Sequence, residues 1–397
     1  MDNIFGRVAA LAGSQMTVTL TEPETVQGAV RIGGMVKARA ANLDVVGTVA
    51  AVQLNNGGPS LHSIFTIDLL GEIAAAEDGR QQFSRGVSHY PLIGTPVYAA
   101  TEAELKVVYS PPLLPSIGIG TLYHDPQQTA FVLVNELLAK NFAVLGATAS
   151  GKSCAITLIL SEILREYANA HIVLLDLHNE YTAAFGDRAE VVNVDNLQLP
   201  FWLLDFEEAV EVLIRGGTAQ EQEAQAIILK DAILRARRRF AGAALATTIT
   251  VDTPTPFKTS ELLRSFDEAM GRLDNPDTSA PYLRLMTRLE SLRHDRRFAF
   301  MFSDRLVTRD TLSEIVSRLL RIPVAGKPLT IIDLSGIPSE IADVVVSLSC
   351  RLTFDFALWS ERDRMPPILL VCEEAHRYVP ADPRDGPRDH PTRAGRS

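Results

Sequence analysis

A short apolar segment that runs directly into a glycine-rich loop constrains the fold of this chain more than any other feature. Residues 142–153 read Phe-Ala-Val-Leu-Gly-Ala-Thr-Ala-Ser-Gly-Lys-Ser, and the residues that follow carry apolar side chains at the spacing of a half-buried helix. The order of apolar strand, glycine-rich loop and helix is that of a phosphate-binding loop. The pattern therefore predicts an α/β fold in which residues 142–146 form a buried strand.

The residue types in this loop suit phosphate binding. Gly146 and Gly151 allow the backbone to curl so that successive N–H groups point at phosphate oxygens. Lys152 brings a mobile positive charge to the β- and γ-phosphates, and the Ser153 hydroxyl can bind Mg²⁺. A helix beginning near Lys152 adds its positive N-terminal end. We therefore predict a nucleoside triphosphate site with Mg²⁺, contacted by Gly146, Ala147, Thr148, Ala149, Ser150, Gly151, Lys152, Ser153 and Cys154.

A second apolar strand, residues 172–175, ends in the acidic stretch Asp176-Leu-His-Asn-Glu180-Tyr181. Acidic side chains at the carboxyl end of a parallel strand lie at the ligand-binding edge of an open α/β sheet. One interpretation is that Asp176 and Glu180 line the nucleotide site. The alternative is an ordinary strand end followed by a turn.

A third apolar strand, residues 368–372, is followed at once by Glu373 and Glu374. A nucleotide-hydrolysing sheet needs one carboxylate that supports Mg²⁺ and a neighbour that orients and deprotonates the attacking water. We assign Glu373 to the metal and Glu374 to the water, with Lys152 as the third catalytic residue. His376 and Arg377 either sense the γ-phosphate, contact a neighbouring subunit, or simply lie at the surface.

Composition changes along the chain predict its domain organisation. Short β-branched segments separated by turn residues indicate a small barrel or sandwich at the N-terminus, which we interpret as an assembly or docking module, with oligonucleotide binding as the alternative. The predicted parts are an all-β domain at 1–108, a linker at 109–128, an α/β core at 129–380 with a helical insertion at about 205–325, and a disordered tail at 381–397.

The net charge of −10 gives no general attraction to nucleic acid, so any DNA contact is expected to be local. The basic run Arg235, Arg237, Arg238 and Arg239 is either such a contact or a solvated helix end. The three cysteines lie in apolar or helical segments, as buried thiols in a reducing compartment do. Because no signal sequence and no uncharged span of membrane length is visible, we expect a soluble, cytoplasmic protein without a membrane partner.

Taken together, these residues resemble the HerA-type DNA translocases, hexameric P-loop ATPases related to the FtsK motor. The resemblance reaches from the N-terminus to about residue 381. Its motifs are Phe83-Ser-Arg-Gly-Val-Ser-His-Tyr-Pro, Asn141-Phe-Ala-Val-Leu-Gly-Ala-Thr-Ala-Ser-Gly-Lys-Ser, Leu175-Asp-Leu-His-Asn-Glu-Tyr, Leu199-Pro-Phe-Trp-Leu-Leu, Ile331-Ile-Asp-Leu-Ser and Val371-Cys-Glu-Glu-Ala-His-Arg-Tyr.

The resemblance implies a RecA-like P-loop ATPase core with a helical insertion, preceded by a small β-barrel of the HAS type. It further implies a homohexameric ring that translocates double-stranded DNA with ATP and Mg²⁺. The barrel would dock a NurA-like nuclease in DNA-end processing, or another effector in phage defence. Two alternatives remain open, a non-catalytic nucleotide-binding scaffold for an effector and a secretion- or conjugation-type motor.

Two departures from the family pattern are visible. Ala149 stands where the family usually has glycine. The chain also ends soon after Glu373 and Glu374, whereas family members continue through a polar sensor strand and an arginine finger. We therefore expect a C-terminal truncation, with nucleotide binding retained and hydrolysis weakened, since an arginine finger contributes roughly 10³- to 10⁵-fold in rate.

Overall fold

The computed structural model describes residues 4–20, 31–55, 62–76, 79–122, 126–271, 276–307, 310–361 and 366–377. It divides into two compact units, Met1–Ala143 and Val144–Ser397. The predicted tail at 381–397 lies outside the described residues. Among the helices of the described ranges, none combines the length and hydropathy that crossing a bilayer requires.

The first unit contains a closed antiparallel barrel. Its sheet has the order β2-β1-β7-β3-β4-β5-β6, and β2 also pairs with β5, which closes six of these strands into a ring while β6 extends from β5. The strands are β1 (Ile4–Ala12), β2 (Gln15–Thr19), β3 (Met35–Ala40), β4 (Leu43–Asn55), β5 (His62–Ala75), β6 (Gln81–Arg85) and β7 (Pro96–Ala99).

Alternating side chains form the barrel core. In β3, Val36 and Ala38 are fully buried, and Phe5 packs edge-on against Phe65 with ring centroids 4.7 Å apart. At Gly71 a Cβ atom would lie 2.1 Å from the Ser84 carbonyl oxygen, so only glycine permits β5 and β6 to approach this closely.

The predicted linker at 109–128 contains regular structure. Strand β8 (Ser116–Thr121) pairs antiparallel with β9 (Thr129–Leu133), and helix α2 (Val134–Leu138) follows. Helix α1 (Glu102–Val108) precedes this hairpin. The glycines that suggested a linker lie inside β8, where the register shifts between Gly118 and Gly120. The boundary between the units therefore falls after Ala143 rather than near residue 109 or 129.

The second unit is built on a parallel sheet of order β11-β12-β10-β13 in its described residues. These strands are β10 (His171–Asp176), β11 (Ala189–Val192), β12 (Leu329–Asp333) and β13 (Ile368–Cys372). The central strands β10 and β12 are almost completely buried, as their continuous apolar sequences predict. The register places Asp176 beside Asp333 and Leu175 beside Cys372, so the carboxyl ends of these strands share one edge.

Helices cover this sheet and form most of the second unit. Between β11 and β12 the described residues contain six α-helices in succession and no strand, which places a helical segment where the sequence predicts an insertion. The helices are α3 (Lys152–Glu166), α4 (Thr182–Phe185), α5 (Phe206–Leu213), α6 (Ala219–Ala241), α7 (Thr259–Met270), α8 (Pro276–His294), α9 (Ala299–Phe302), α10 (Leu312–Leu320) and α11 (Ser339–Trp359).

The prediction of a buried strand at residues 142–146 is wrong for this structure. Residues 141–147 form no strand, and Leu145 is 89% exposed. A strand requires a neighbour for its backbone hydrogen bonds, and within the described residues β13 pairs with β10 alone. The apolar segment therefore enters the glycine-rich loop without joining the sheet.

Candidate nucleotide-binding site

The glycine-rich loop has the backbone conformation that its sequence predicts. Gly151 has φ +91° and directly precedes α3, which begins at Lys152. A Cβ atom on Gly146 would lie 2.3 Å from Ser150 Oγ, so the loop folds back closely at that point. The Lys152 ammonium donates a hydrogen bond to the Ala147 carbonyl oxygen at 3.2 Å. The loop thus encloses its own lysine at the N-terminal end of a four-turn helix.

Ala149 adopts the left-handed backbone conformation, with φ +63°. Alanine is disfavoured there by about 1–2 kcal/mol, whereas glycine is not. Alanine at position 149 therefore adds local strain to the loop.

The Asp176 carboxylate organises the turn after β10. Its Oδ1 accepts hydrogen bonds from the N–H groups of His178 (3.2 Å) and Glu180 (3.1 Å), and its Oδ2 accepts one from Tyr181 (3.1 Å). Asp176 is completely buried. The turn interpretation is therefore correct for Asp176, and the same turn brings this carboxylate to the site edge.

Glu373 lies next to Asp176. Its N–H donates to the Leu175 carbonyl at 3.2 Å, and its Oε2 accepts from the Leu177 N–H at 3.0 Å. Burial raises the pKa of Glu373 to about 7, assisted by its contact with the negative Asp176 carboxylate. Two close carboxylates in a partly buried site favour either a shared proton or a bound cation.

Tyr181 connects these carboxylates to the loop, a role that the strand and loop patterns did not predict. The Tyr181 side chain lies near Ser153 and Glu373, and burial together with the negative charge of Glu373 raises the pKa of Tyr181 to about 12. The side chain is 3% exposed. The start of α3 and the ends of β10 and β13 therefore meet around one aromatic side chain. In the sequence, the position of Tyr181 at the end of an acidic turn was the signal that could have indicated this role.

Glu374 occupies a strained position beside this cluster. Its φ of +47° is unusual for a residue with a long side chain. Its Oε2 lies 3.1 Å from His376 Nδ1, and its carbonyl accepts a hydrogen bond from the Arg377 N–H at 2.9 Å. Backbone strain of this kind concentrates at functional sites.

The arrangement is suited to Mg²⁺ with a triphosphate. Among the described residues, no group of three or more histidine, cysteine, aspartate or glutamate side chains could hold a metal by itself. Mg²⁺ commonly takes one or two protein oxygens and completes its shell with phosphate and water. Ser153 and Glu373 offer such oxygens, and the proximity of Asp176 to Glu373 leaves excess negative charge for a cation to neutralise.

The other predicted contacts have more limited roles in the structure. Thr148 and Cys154 are exposed, the latter on the first turn of α3, and Glu180 takes part through its backbone N–H to Asp176.

Neither interpretation of the basic run fits Arg237. This residue is 1% exposed, and its guanidinium donates to the carbonyl oxygens of Trp202, Leu204, Val251 and Thr253. Arg238 and Arg239 are exposed at the end of α6, whereas Arg237 faces the core because it follows Ile233 by one helical turn. Arg237 is thus a structural residue.

A glycine-rich loop at the start of a helix, beside acidic carboxyl ends of parallel strands, defines the second unit as a P-loop NTPase core. Residues 117–353, more than half of the chain, match the model of the family described as "Helicase HerA, central domain". The chain belongs to this family, and the predicted fold class, a barrel followed by a P-loop core, is confirmed. The match includes the β8–β9 hairpin that the sequence assigned partly to a linker.

Individual relatives agree with this assignment. The chain is 23% identical over 318 residues to the "DNA double-strand break repair helicase HerA" of Pyrococcus furiosus, covering 72% of this chain and 55% of the relative. It is 31% identical over 108 residues to the protein of the same description from Sulfurisphaera tokodaii, covering 27% and 19%. A solved structure of VirB4 from Thermoanaerobacter pseudethanolicus is similar with a TM-score of 0.42 and 17% identity, covering 66% of this chain and 68% of VirB4. The chain spans about half the length of the Pyrococcus relative and about a fifth of the length of the Sulfurisphaera relative.

Proposed function

We propose that this chain is an ATP-hydrolysing subunit of a ring-shaped motor that translocates double-stranded DNA. The observation that carries the proposal is the convergence of the phosphate loop with the acidic ends of β10 and β13, where the turn after β10 donates hydrogen bonds to both Asp176 and Glu373. Membership of the HerA central-domain family supports the same activity.

The residues have separate roles in this proposal. The loop N–H groups and Lys152 hold the phosphates of ATP, and the N-terminal end of α3 adds favourable charge. Ser153 and Glu373 would hold Mg²⁺, and the Leu177 N–H, which donates to Glu373 Oε2, positions that carboxylate. The chemistry supplied by bound Mg²⁺ is neutralisation of negative charge on the β- and γ-phosphates.

Glu374 is the residue that takes the proton from the attacking water. General-base catalysis of this kind contributes typically about 10²- to 10⁴-fold in rate. The His376 imidazole, 3.1 Å from the Glu374 carboxylate, orients it. The Arg377 N–H donates a hydrogen bond to the Glu374 carbonyl, and this turn fixes the backbone that carries the Glu374 and His376 side chains.

We infer the DNA and protein partners from the relatives of this chain. Two relatives are DNA double-strand break repair helicases, which supports duplex DNA as the substrate of this chain. We further propose a homohexamer and a NurA-like nuclease or other effector bound by the barrel. The barrel's separate core supports its use as a docking unit.

ATP hydrolysis by the purified chain, with and without linear duplex DNA, tests the proposal. We expect DNA to stimulate hydrolysis and Lys152→Ala to abolish nucleotide binding. Glu374→Gln should retain binding and lose about 10²-fold or more in rate. Glu223→Gln, which changes an exposed carboxylate on α6, is the matched control and should behave as the wild type.

Mass photometry of Glu374→Gln with ATP tests the ring, for which we expect six subunits. Hydrolysis that is equal in wild type and Glu374→Gln would refute the assigned base. Nucleotide binding without turnover under every condition would refute the motor and favour a nucleotide-binding scaffold for an effector.

A further inference from the structure

A surface cavity at the end of α8 collects positive charge in an otherwise acidic chain. Its volume is about 320 Å³, and it lies where α8 ends and the turn leading to α9 begins. Residues 288–297 contain four arginines against two acidic residues, whereas the whole chain has a net charge of −10. The polar side chains that line the cavity are those of Arg293, His294, Asp295, Arg296, Ser303 and Asp304.

The two carboxylates of the cavity are neutralised within the protein. Asp304 Oδ2 accepts a hydrogen bond from the Arg293 guanidinium at 2.9 Å. Asp295 is held by Arg297, with 2.6 Å between Arg297 Nη2 and Asp295 Oδ2. The Arg296 side chain, by contrast, is exposed and makes no ion pair or hydrogen bond with another described residue. Its positive charge is therefore left for a ligand.

The helix dipole does not account for this charge. Arg293 and His294 lie in the last turn of α8, where cations are favoured in any helix. Arg296 follows the helix, in the 3-10 turn Arg296–Phe298. The Phe298 N–H donates to the Asp295 carbonyl at 3.0 Å, and the Phe298 ring is buried in the core. The backbone that carries Arg296 is thus anchored, and its guanidinium stands at a defined place on the surface.

We propose that this cavity binds a backbone phosphate of duplex DNA, with Arg296 as the residue that contacts the phosphate and His294 beside it. Arginine presents several N–H donors in a fork that matches phosphate oxygens. The His294 Nδ1 donates to the Glu290 carbonyl at 2.7 Å, which leaves its Nε2 for a ligand. A phosphate contact reads no base sequence, as translocation along any duplex requires. The choice of DNA as the ligand rests on the proposed function.

Counterion release sets the size of the expected effect. Each phosphate that a protein neutralises on B-form DNA contributes about −0.9 to the slope of the logarithm of the binding constant against the logarithm of salt concentration. Relative to about 1 M salt, one such contact therefore strengthens binding about eightfold at about 0.1 M. The effect is the same for every DNA sequence, because the phosphates are the same.

Fluorescence anisotropy of a labelled linear duplex, titrated with the full chain at several KCl concentrations, tests the site. We expect Arg296→Ala to reduce the magnitude of the salt slope by about 1 and the affinity about eightfold at about 0.1 M salt. Arg296→Lys retains the charge and should keep the slope of the wild type. Arg239→Ala removes an exposed arginine at the end of α6 and is the matched control, which should bind as the wild type does.

Hydrogen exchange of the wild type locates the contact independently of affinity. Adding the same duplex should slow exchange in a peptide covering residues 293–304, and this protection should be reduced in Arg296→Ala. A peptide covering residues 235–242, at the end of α6, should exchange at the same rate with and without DNA. The urea midpoint of Arg296→Ala should equal that of the wild type, because the replaced side chain is exposed.

Several results would overturn the proposal. Equal salt slopes for the wild type and Arg296→Ala would refute the site while leaving DNA-stimulated hydrolysis, and with it the motor, intact. Protection of residues 293–304 by ATP without DNA would assign the cavity to a free nucleotide and refute the DNA contact. A wild type that shows the expected slope and protection but hydrolyses no ATP would refute the motor and support the site. Absence of any duplex binding by the wild type at low salt would refute both.

Discussion

Replacing Arg237 by alanine should destabilise the second unit by about 3–5 kcal/mol. The guanidinium satisfies four backbone carbonyls, with distances of 2.7 Å to Thr253, 3.1 Å to Trp202 and 2.6 Å to Leu204, and its Cζ lies 5.8 Å from the Phe257 ring centroid. Hydrogen bonds to a charged group contribute about 1.5–3 kcal/mol each, and a buried carbonyl without a donor is unfavourable.

The desolvation cost of the buried arginine reduces this loss of stability. Burial lowers the pKa of Arg237 from 12.5 to about 10, which corresponds to about 3 kcal/mol of desolvation that the alanine variant no longer carries. Water can also reach some carbonyls in the vacated space. The net value is therefore in the range measured for breaking buried charge networks.

Urea denaturation followed by tryptophan fluorescence measures the stability of the second unit, which contains Arg237. The chain has two tryptophans, and both Trp202 and Trp359 lie in the second unit. We expect the midpoint of Arg237→Ala to fall by about 1 M or more, since urea m-values are typically about 1–3 kcal/mol per M. Arg237→Lys should be intermediate, because an ammonium cannot reach four carbonyls on two sides.

The matched control is Arg239→Ala, which removes an exposed arginine from the same helical turn. Its free energy of unfolding should remain within about 0.5 kcal/mol of that of the wild type. Equal midpoints for Arg237→Ala and Arg239→Ala would refute the reasoning, as would weaker DNA binding by Arg237→Ala without any loss of stability.

Three further predictions concern other parts of the chain. Ala149→Val should weaken ATP binding about tenfold in calorimetry, because a β-branched residue tolerates φ +63° poorly. Ala149→Gly should bind ATP at least as well as the wild type. Equal affinities of Ala149→Val and the wild type would contradict the argument from strain. Burial alone raises the pKa of Glu72, but hydrogen bonds from the His89 and Ser88 N–H groups and the Ser88 hydroxyl give a net lowering. The stabilisation by Glu72 is therefore present above the unfolded pKa of about 4.3 and is lost as the pH falls through the lower folded pKa. Glu72→Gln should thus speed hydrogen exchange in residues 86–94 at pH 7, with a difference that disappears in acid. Thr218→Ala should lower unfolding free energy by about 1 kcal/mol, since the Thr218 and Glu221 capping box begins α6; no change in the urea midpoint would rule this out.

Much of the fold was predictable from local sequence patterns. Continuous apolar runs identified β10, β12 and β13, and the glycine and lysine spacing placed the start of α3 at Lys152. These features depend on periodicity and on the conformations that single residues allow, which are visible along the chain. The fold class and the family followed from them.

Long-range partners decided the rest. The apolar segment at 142–146 has the composition of a strand but pairs with no strand within the described residues. The hairpin between β8 and β9 makes regular structure of residues whose glycines and prolines suggested a linker. In both cases strand formation depends on a hydrogen-bonding partner in another segment, which the composition of the segment itself does not contain.

The sequence by itself determined the class of fold, the position of the phosphate loop and the acidic residues at the strand ends. Only the tertiary structure decided that Arg237 is buried against four backbone carbonyls and that the turn after β10 donates hydrogen bonds to both Asp176 and Glu373. The physical reason is that local backbone preference is a property of adjacent residues, whereas burial, pKa and side-chain partnership arise from groups that folding brings together from distant positions.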